Sequence, residues 1–130
     1  MQINNFFSNQ NIVKKEDIYV LDENDNYASN FGSQWRDFQN VQIDSLNDNN
    51  ISEKFLKRLI FNQAHLLLDK NILEIGCGAG RFTEYLVKYA KICVSIDLSQ
   101  AIYYNVAKKS NNLILLKADL MNLIPKIKFD

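Results

Sequence analysis

Apolar positions along the chain fall into an irregular first third and an ordered remainder. From residue 71 onward, short continuous apolar runs alternate with stretches in which apolar side chains recur every three or four positions. Ile72-Leu73-Glu74-Ile75, Ile92-Cys93-Val94-Ser95-Ile96 and Leu113-Ile114-Leu115-Leu116 read as buried strands. Between the first two, Phe82, Tyr85, Leu86 and Tyr89 mark the face of a helix that packs on a sheet. Between the second and third, Ser99 caps a helix whose Ile102, Tyr103 and Val106 face inward. This βαβαβ order predicts an α/β fold with a parallel sheet and right-handed crossovers.

Upstream, Phe55, Leu56, Leu59, Ile60 and Leu66 or Leu67 supply one face of a helix running to about Gln63 or further. Asn50 or Ser52 is its expected cap, and with Asn50 as cap Glu53 takes the reciprocal position. Asp44 to Asn50 is turn chemistry. Trp35, Phe38 and Val41 fall three apart and suit a short helix. Residues 1–30 are rich in Asn, Asp and Gln with isolated apolar pieces, which predicts a loosely packed arm with a short strand near Ile18–Leu21.

The 130 residues carry 15 acidic and 15 basic side chains, so net charge offers no pull toward nucleic acid or an anionic membrane. Lys14-Lys15 and Lys108-Lys109 read as solvated surface. No apolar run approaches the ~20 residues of a membrane span, and no signal-peptide pattern opens the chain. Cys77 and Cys93 form no disulfide framework and read as reduced thiols, which predicts a cytoplasmic protein. His65 is given no metal or catalytic role.

The candidate chemistry lies where the first strand runs into Gly76-Cys77-Gly78-Ala79-Gly80. A strand, glycine-rich turn and helix place backbone N–H groups at the carboxyl edge of a sheet, where open α/β sheets bind ligands. A phosphate loop needs Lys and Ser/Thr after its last glycine, and Arg81-Phe82 follows here. The dinucleotide fingerprint would place its third small residue at Arg81, against close helix–strand packing. Glu74 repels a pyrophosphate but suits an ammonium or sulfonium group. Asp97, 21 residues after Gly76, is placed for both ribose hydroxyls, and Asp119 for an exocyclic adenine amine. A nucleoside with a cationic tail and no phosphates fits, and S-adenosylmethionine is such a molecule.

These segments resemble the class I S-adenosylmethionine-dependent methyltransferases. Ile72–Gly80 is similar to their first motif, Ile96–Ser99 to the second-strand acidic motif and Lys117–Leu120 to the third-strand motif. The resemblance implies that Gly76, Gly78 and Gly80, with Cys77 among them, line the methionine and ribose portion. Glu74 would act near the amino group, Asp97 would bind the ribose, Leu98 would flank the adenine, and Asp119 with the Leu120 N–H would read its edge. The product would be S-adenosylhomocysteine.

The stretch Tyr27–Ser45 resembles the leader of a bacterial branch often found among surface-polysaccharide and other small-molecule methyltransferases, which implies a small-molecule or sugar acceptor, and with the charge balanced the sequence carries no nucleic-acid signal. Trp35 reads equally as core or as a lid over cofactor or acceptor, and Arg36 beside it as surface or acceptor side. The expected organisation is a leader or lid segment, 1–50, followed by a partial Rossmann-like cofactor domain, 51–130. By the resemblance the chain ends at the start of a fourth strand, leaving strand 72–75 as an edge able to pair with another chain. The expected function is a truncated methyltransferase. A non-catalytic cofactor-binding or interaction fragment is the alternative, and an NAD-binding oxidoreductase fragment a distant one.

Overall fold

The computed structural model describes residues 2–23 and 41–130. Its centre is a five-stranded sheet made of β1 (Val13–Lys15), β2 (Ile18–Val20), β3 (Asn71–Ile75), β4 (Ile92–Asp97) and β5 (Leu113–Lys117), in the order β1-β2-β5-β4-β3. The pairs β2–β5, β5–β4 and β4–β3 are parallel, and β1–β2 is an antiparallel hairpin. The Rossmann-like α/β expectation therefore holds, with a hairpin added beyond β5. Among the described residues three α-helices accompany the sheet: α1 (Asp44–Asn47), α2 (Ile51–Leu59) and α3 (Thr83–Tyr89).

Strand alternation divides the core between the two faces of the sheet. Val94, Ile96, Ile114 and Leu116 point to one side and pack with Ile3, Phe6 and Phe7. Cys93 and Ile72 point to the other and meet Leu86 and Ala90 at the end of α3, while Leu115 packs with Ile102. All of these side chains are buried.

Residues 2–23 are thus not the loosely packed arm that their composition predicts. Ile3, Phe6 and Phe7 are buried against one face of the sheet, and Phe129 stacks on Phe6 at 6.0 Å between centroids. The backbone of the arm is tied to the C-terminal residues by Ser8 N–H to the Ile124 carbonyl (2.8 Å) and Lys126 N–H to the Phe6 carbonyl (2.8 Å). A bare apolar sheet face recruits whatever apolar side chains reach it, however polar their neighbours in sequence.

The helices are shorter than their periodicity predicts. α2 stops at Leu59 because Phe61 and Asn62 both take left-handed backbone conformations (φ 51° and 58°), and a 3₁₀ turn follows at Ala64–Leu67. After β4 the expected helix is a 3₁₀ turn, Gln100–Tyr104, capped as expected by Ser99, whose oxygen accepts from the Ala101 N–H. Ile102 is buried, but Val106 lies outward.

The cap of α2 also differs. Neither Asn50 nor Ser52 caps it with its side chain; Asp44 does, accepting from the Ser52 N–H (3.0 Å) and the Glu53 N–H (2.9 Å). Glu53 pairs with Lys57 instead. Among the described residues no helix is long and apolar enough to cross a membrane.

Candidate cofactor site

Where β3, β4 and β5 end, their C-terminal residues surround a cavity of about 280 Å³. Ile75 and Gly76 come from the first of these strands, Ile96, Asp97 and Leu98 from the second, and Ala118, Asp119 and Leu120 from the third. The strand ends are stitched together: the Ile96 carbonyl accepts from the Gly76 (2.8 Å) and Cys77 (3.1 Å) N–H groups, and the Asp97 carbonyl accepts from the Ala118 N–H (3.1 Å). Ile75 and Leu120 leave apolar surface facing solvent at the rim, suited to a flat base.

Five of the residues expected at the site therefore meet in one cavity: Gly76, Asp97, Leu98, Asp119 and Leu120. Glu74, Cys77, Gly78 and Gly80 do not line it, and Gly78 is tied to it through the Asp97 carboxylate. Trp35 and Arg36 lie outside the described residues.

Asp97 is the hinge between loop and cavity. Its Oδ2 accepts from the Gly78 N–H (2.7 Å), and its Oδ1 accepts from the N–H and hydroxyl of Ser99 (both 2.7 Å). A carboxylate has about four acceptor positions, so with three filled Asp97 keeps capacity for one further donor rather than the two ribose hydroxyls expected from its spacing. Asp119 caps the 3₁₀ turn that follows it, its Oδ1 accepting from the Met121 N–H (2.9 Å), and its Oδ2 has no hydrogen-bond partner among the described residues. The Leu120 N–H has no acceptor among the described residues.

Beneath the loop runs a chain of polar side chains. Glu74 Oε2 accepts from the hydroxyls of Thr83 (2.7 Å) and Ser95 (2.6 Å). Asn105 is fully buried and donates to Thr83 Oγ1 (3.1 Å) and to the Gly78 carbonyl (3.5 Å), while its Oδ1 accepts from the Ala107 N–H. The same Asn105 explains Gly80. At φ 99° that residue is in a region that disfavours side chains, and a Cβ there would lie 2.6 Å from Asn105 Oδ1.

Burial raises the carboxyl of Glu74; the two hydroxyl donors restrain the rise and the charge of Asp97 adds to it. Burial likewise pushes the Cys77 thiol well up, helped by the charges of Glu74 and Asp97, so Cys77 is a protonated packing residue in the loop.

The loop is also tied to the segment before α2. Arg81 donates from Nε to Ser52 Oγ (3.1 Å) and from Nη1 to Gln42 Oε1 (3.1 Å), and its guanidinium lies over the rings of Phe55 and Phe82. Tyr85 donates its hydroxyl to Asp44 Oδ2 (2.8 Å).

Thr83, Ser95, Asn105 and Asp44 were not identified from the sequence as part of this assembly. Two of them carried a signal: Ser95 interrupts an apolar strand, and Asn105 is a poor helix former beside an inward-facing stretch. Among the described residues no cluster of His, Cys, Asp or Glu could hold a metal ion.

A parallel sheet with a glycine loop after β3 and carboxylates at the ends of β4 and β5 defines the class as class I S-adenosylmethionine-dependent methyltransferase, with S-adenosylmethionine as the cofactor of the class. Within it, residues 42–127 match the model of the ribosomal RNA adenine dimethylase family, and the chain belongs to that family. This overturns the expectation of a small-molecule or sugar acceptor with no nucleic-acid partner, because the family is defined by action on ribosomal RNA. A balanced net charge describes the whole chain and does not report on an RNA acceptor at one site.

Among solved structures, phosphoethanolamine N-methyltransferase 1 of Haemonchus contortus, determined with phosphoethanolamine and S-adenosylhomocysteine, is similar in fold. It aligns at a TM-score of 0.52 with 22% identity over 72% of this chain and 21% of its own. A TehB-like S-adenosylmethionine-dependent methyltransferase of Corynebacterium glutamicum aligns at a TM-score of 0.43 with 26% identity, over 74% of this chain and 47% of its own. The chain thus spans less than half the length of either. No curated protein sequence matches it.

Proposed function

We propose that this chain provides the S-adenosylmethionine-binding part of an enzyme that methylates adenine in ribosomal RNA. The observation that carries the reading is the convergence of Gly76, Asp97, Leu98, Asp119 and Leu120 on one cavity at the carboxyl ends of three parallel strands. The residues fit the cofactor. Asp97 keeps an acceptor position for a ribose hydroxyl, Asp119 Oδ2 and the Leu120 N–H form the acceptor–donor pair that an adenine edge requires, and Ile75 with Leu120 provides apolar contact. Arg81, the cation that follows the loop, is engaged by Ser52, Gln42 and two aromatic rings, and Glu74 before it repels a pyrophosphate, which disfavours a dinucleotide.

When bound, S-adenosylmethionine supplies a sulfonium methyl group open to in-line displacement by an adenine amine. The chain's contribution is positional. The glycine loop, tied down by Asn105, would hold the backbone on the methionine side of the cofactor, and Glu74, bonded to Thr83 and Ser95, would place a carboxyl beneath that loop.

Calorimetric titration with S-adenosylhomocysteine and with NAD tests the cofactor. Saturable binding of the first alone is expected, and saturable NAD binding without a response to the first would refute it. Asp97→Ala should weaken S-adenosylhomocysteine by roughly 10- to 100-fold, since a charged acceptor is lost from both ribose and loop. Transfer of labelled methyl groups to unmethylated ribosomal RNA, compared with the same RNA already methylated at adenine, tests the acceptor. Equal incorporation into both would refute adenine as the target.

A further inference from the structure

The adenine side of the cavity is held in place by a residue that lies outside every methyltransferase motif in the chain. Asp22 follows β2, and its Oδ2 accepts from the backbone N–H of Asp119 at 2.9 Å. Both of its carboxylate oxygens also lie 3.3 Å from Asn122 Nδ2. Asp22 is fixed in turn from the sheet. Lys117, buried at the end of β5, donates from Nζ to the carbonyls of Asp22 (3.2 Å) and Glu23 (3.3 Å), and the Lys117 carbonyl accepts from the Leu21 N–H at 3.0 Å. One carboxylate thus grips the turn 119–122 at both ends.

We propose that Asp22 is a positioning residue for adenine recognition: it sets the Asp119–Leu120 peptide so that Asp119 Oδ2 and the Leu120 N–H meet the edge of the base. The inference rests on the cofactor reading above and extends it to a segment of the chain that carries none of the class motifs. The geometry has a direct chemical consequence. An adenine edge offers an amine donor beside a ring-nitrogen acceptor, whereas hypoxanthine offers a carbonyl beside a ring N–H. A rigid acceptor–donor pair prefers the first because the second leaves both protein groups unpaired. A pair free to reorient loses that preference.

The test is the ratio of affinities for S-adenosylhomocysteine and its inosine counterpart, measured by calorimetry on the full chain. The wild-type chain should favour the adenine compound. Asp22→Ala should reduce the ratio by about tenfold. Asp22→Asn retains an oxygen for the Asp119 N–H and should restore most of it, a rescue that a merely structural role would not give. Should Asp22→Ala fail to fold, Asn122→Ala at an exposed position loosens the same grip and should lower the ratio about threefold.

An unchanged ratio in every folded variant, with only thermal stability altered, overturns the proposal. A wild-type chain that binds both compounds equally overturns it too, by removing the adenine reading of Asp119. A wild-type chain that binds neither compound overturns the cofactor reading itself.

Discussion

The two walls of the cavity are supported from different distances along the chain. The glycine-loop wall is braced by its own neighbourhood, with Glu74, Thr83 and Ser95 inside the βαβ unit that contains the loop and Asn105 in the connection just after it. The wall formed by Asp119 and Leu120, the proposed adenine side, is braced from 97 residues away by Asp22, and by Asn9, which donates to the Asn122 carbonyl and accepts from the Ile124 N–H. The first wall forms with local contacts, whereas the second is complete only when the N-terminal hairpin has docked on β5. Loss of the hairpin should therefore damage base recognition before it damages the loop.

The largest expected effect comes from breaking the distant support. Phe7→Ala empties a fully buried position under the sheet and should cost about 3–5 kcal/mol, read as a lowered denaturant midpoint. If the comparison holds, sub-denaturing urea should abolish adenine-over-hypoxanthine preference in this variant before S-adenosylhomocysteine binding is lost. Gly80→Ala attacks the other wall. A side chain at φ 99° strains the backbone by about 1–3 kcal/mol and collides with Asn105, so affinity should fall for both nucleosides with their ratio unchanged. A selective loss in Gly80→Ala would erase the distinction between the walls.

Asp44→Ala tests the loop wall from outside. It uncaps α2 and strands the buried Tyr85 hydroxyl, with an expected loss of about 2 kcal/mol. Burial opposes ionisation of Asp44, but the Ser52 and Glu53 N–H groups and the Tyr85 hydroxyl outweigh it and hold the carboxyl below its usual value. This contribution is present above the unfolded value of about 3.9 and disappears as pH falls through the folded one, so wild type and variant should converge in stability at low pH.

The smallest effect is expected from Glu74→Gln. A raised carboxyl means that the fold disfavours its ionised form, so wild-type stability declines as pH rises from about 4.3 through the folded value. Gln keeps an acceptor for Ser95 and Thr83 without the charge. The variant should show a flatter pH profile in thermal melts; an unchanged slope would remove Glu74 as its source.

What the sequence made legible follows the same division. Gly76 to Gly80, Asp97 and the three apolar strands are local patterns, and they appear where their spacing places them. The brace at Asp44 was hidden because it reaches α2 from outside the few residues within which a cap is sought. Phe6 and Phe7 were hidden because two apolar residues among Asn and Gln show no period; only a sheet face formed by residues a hundred positions later makes them core. Asn105 marks the intermediate case. Its hydrogen bonds to the loop fix the chain just after Tyr104, where the 3₁₀ turn replaces the helix that Ile102 and Val106 suggest.

The two cysteines make the walls separately observable. Cys77 is buried within the loop, and Cys93 is fully buried in β4, between β3 and β5, with its thiol raised to about 12. Neither can meet an alkylating reagent without an opening event, so each labelling rate becomes a clock for the part of the fold that covers it. Cys77 counts openings of the loop and should run slower once a nucleoside is bound. Cys93 counts separations of the sheet itself, and it gives an internal standard against which the first clock can be read in the same tube.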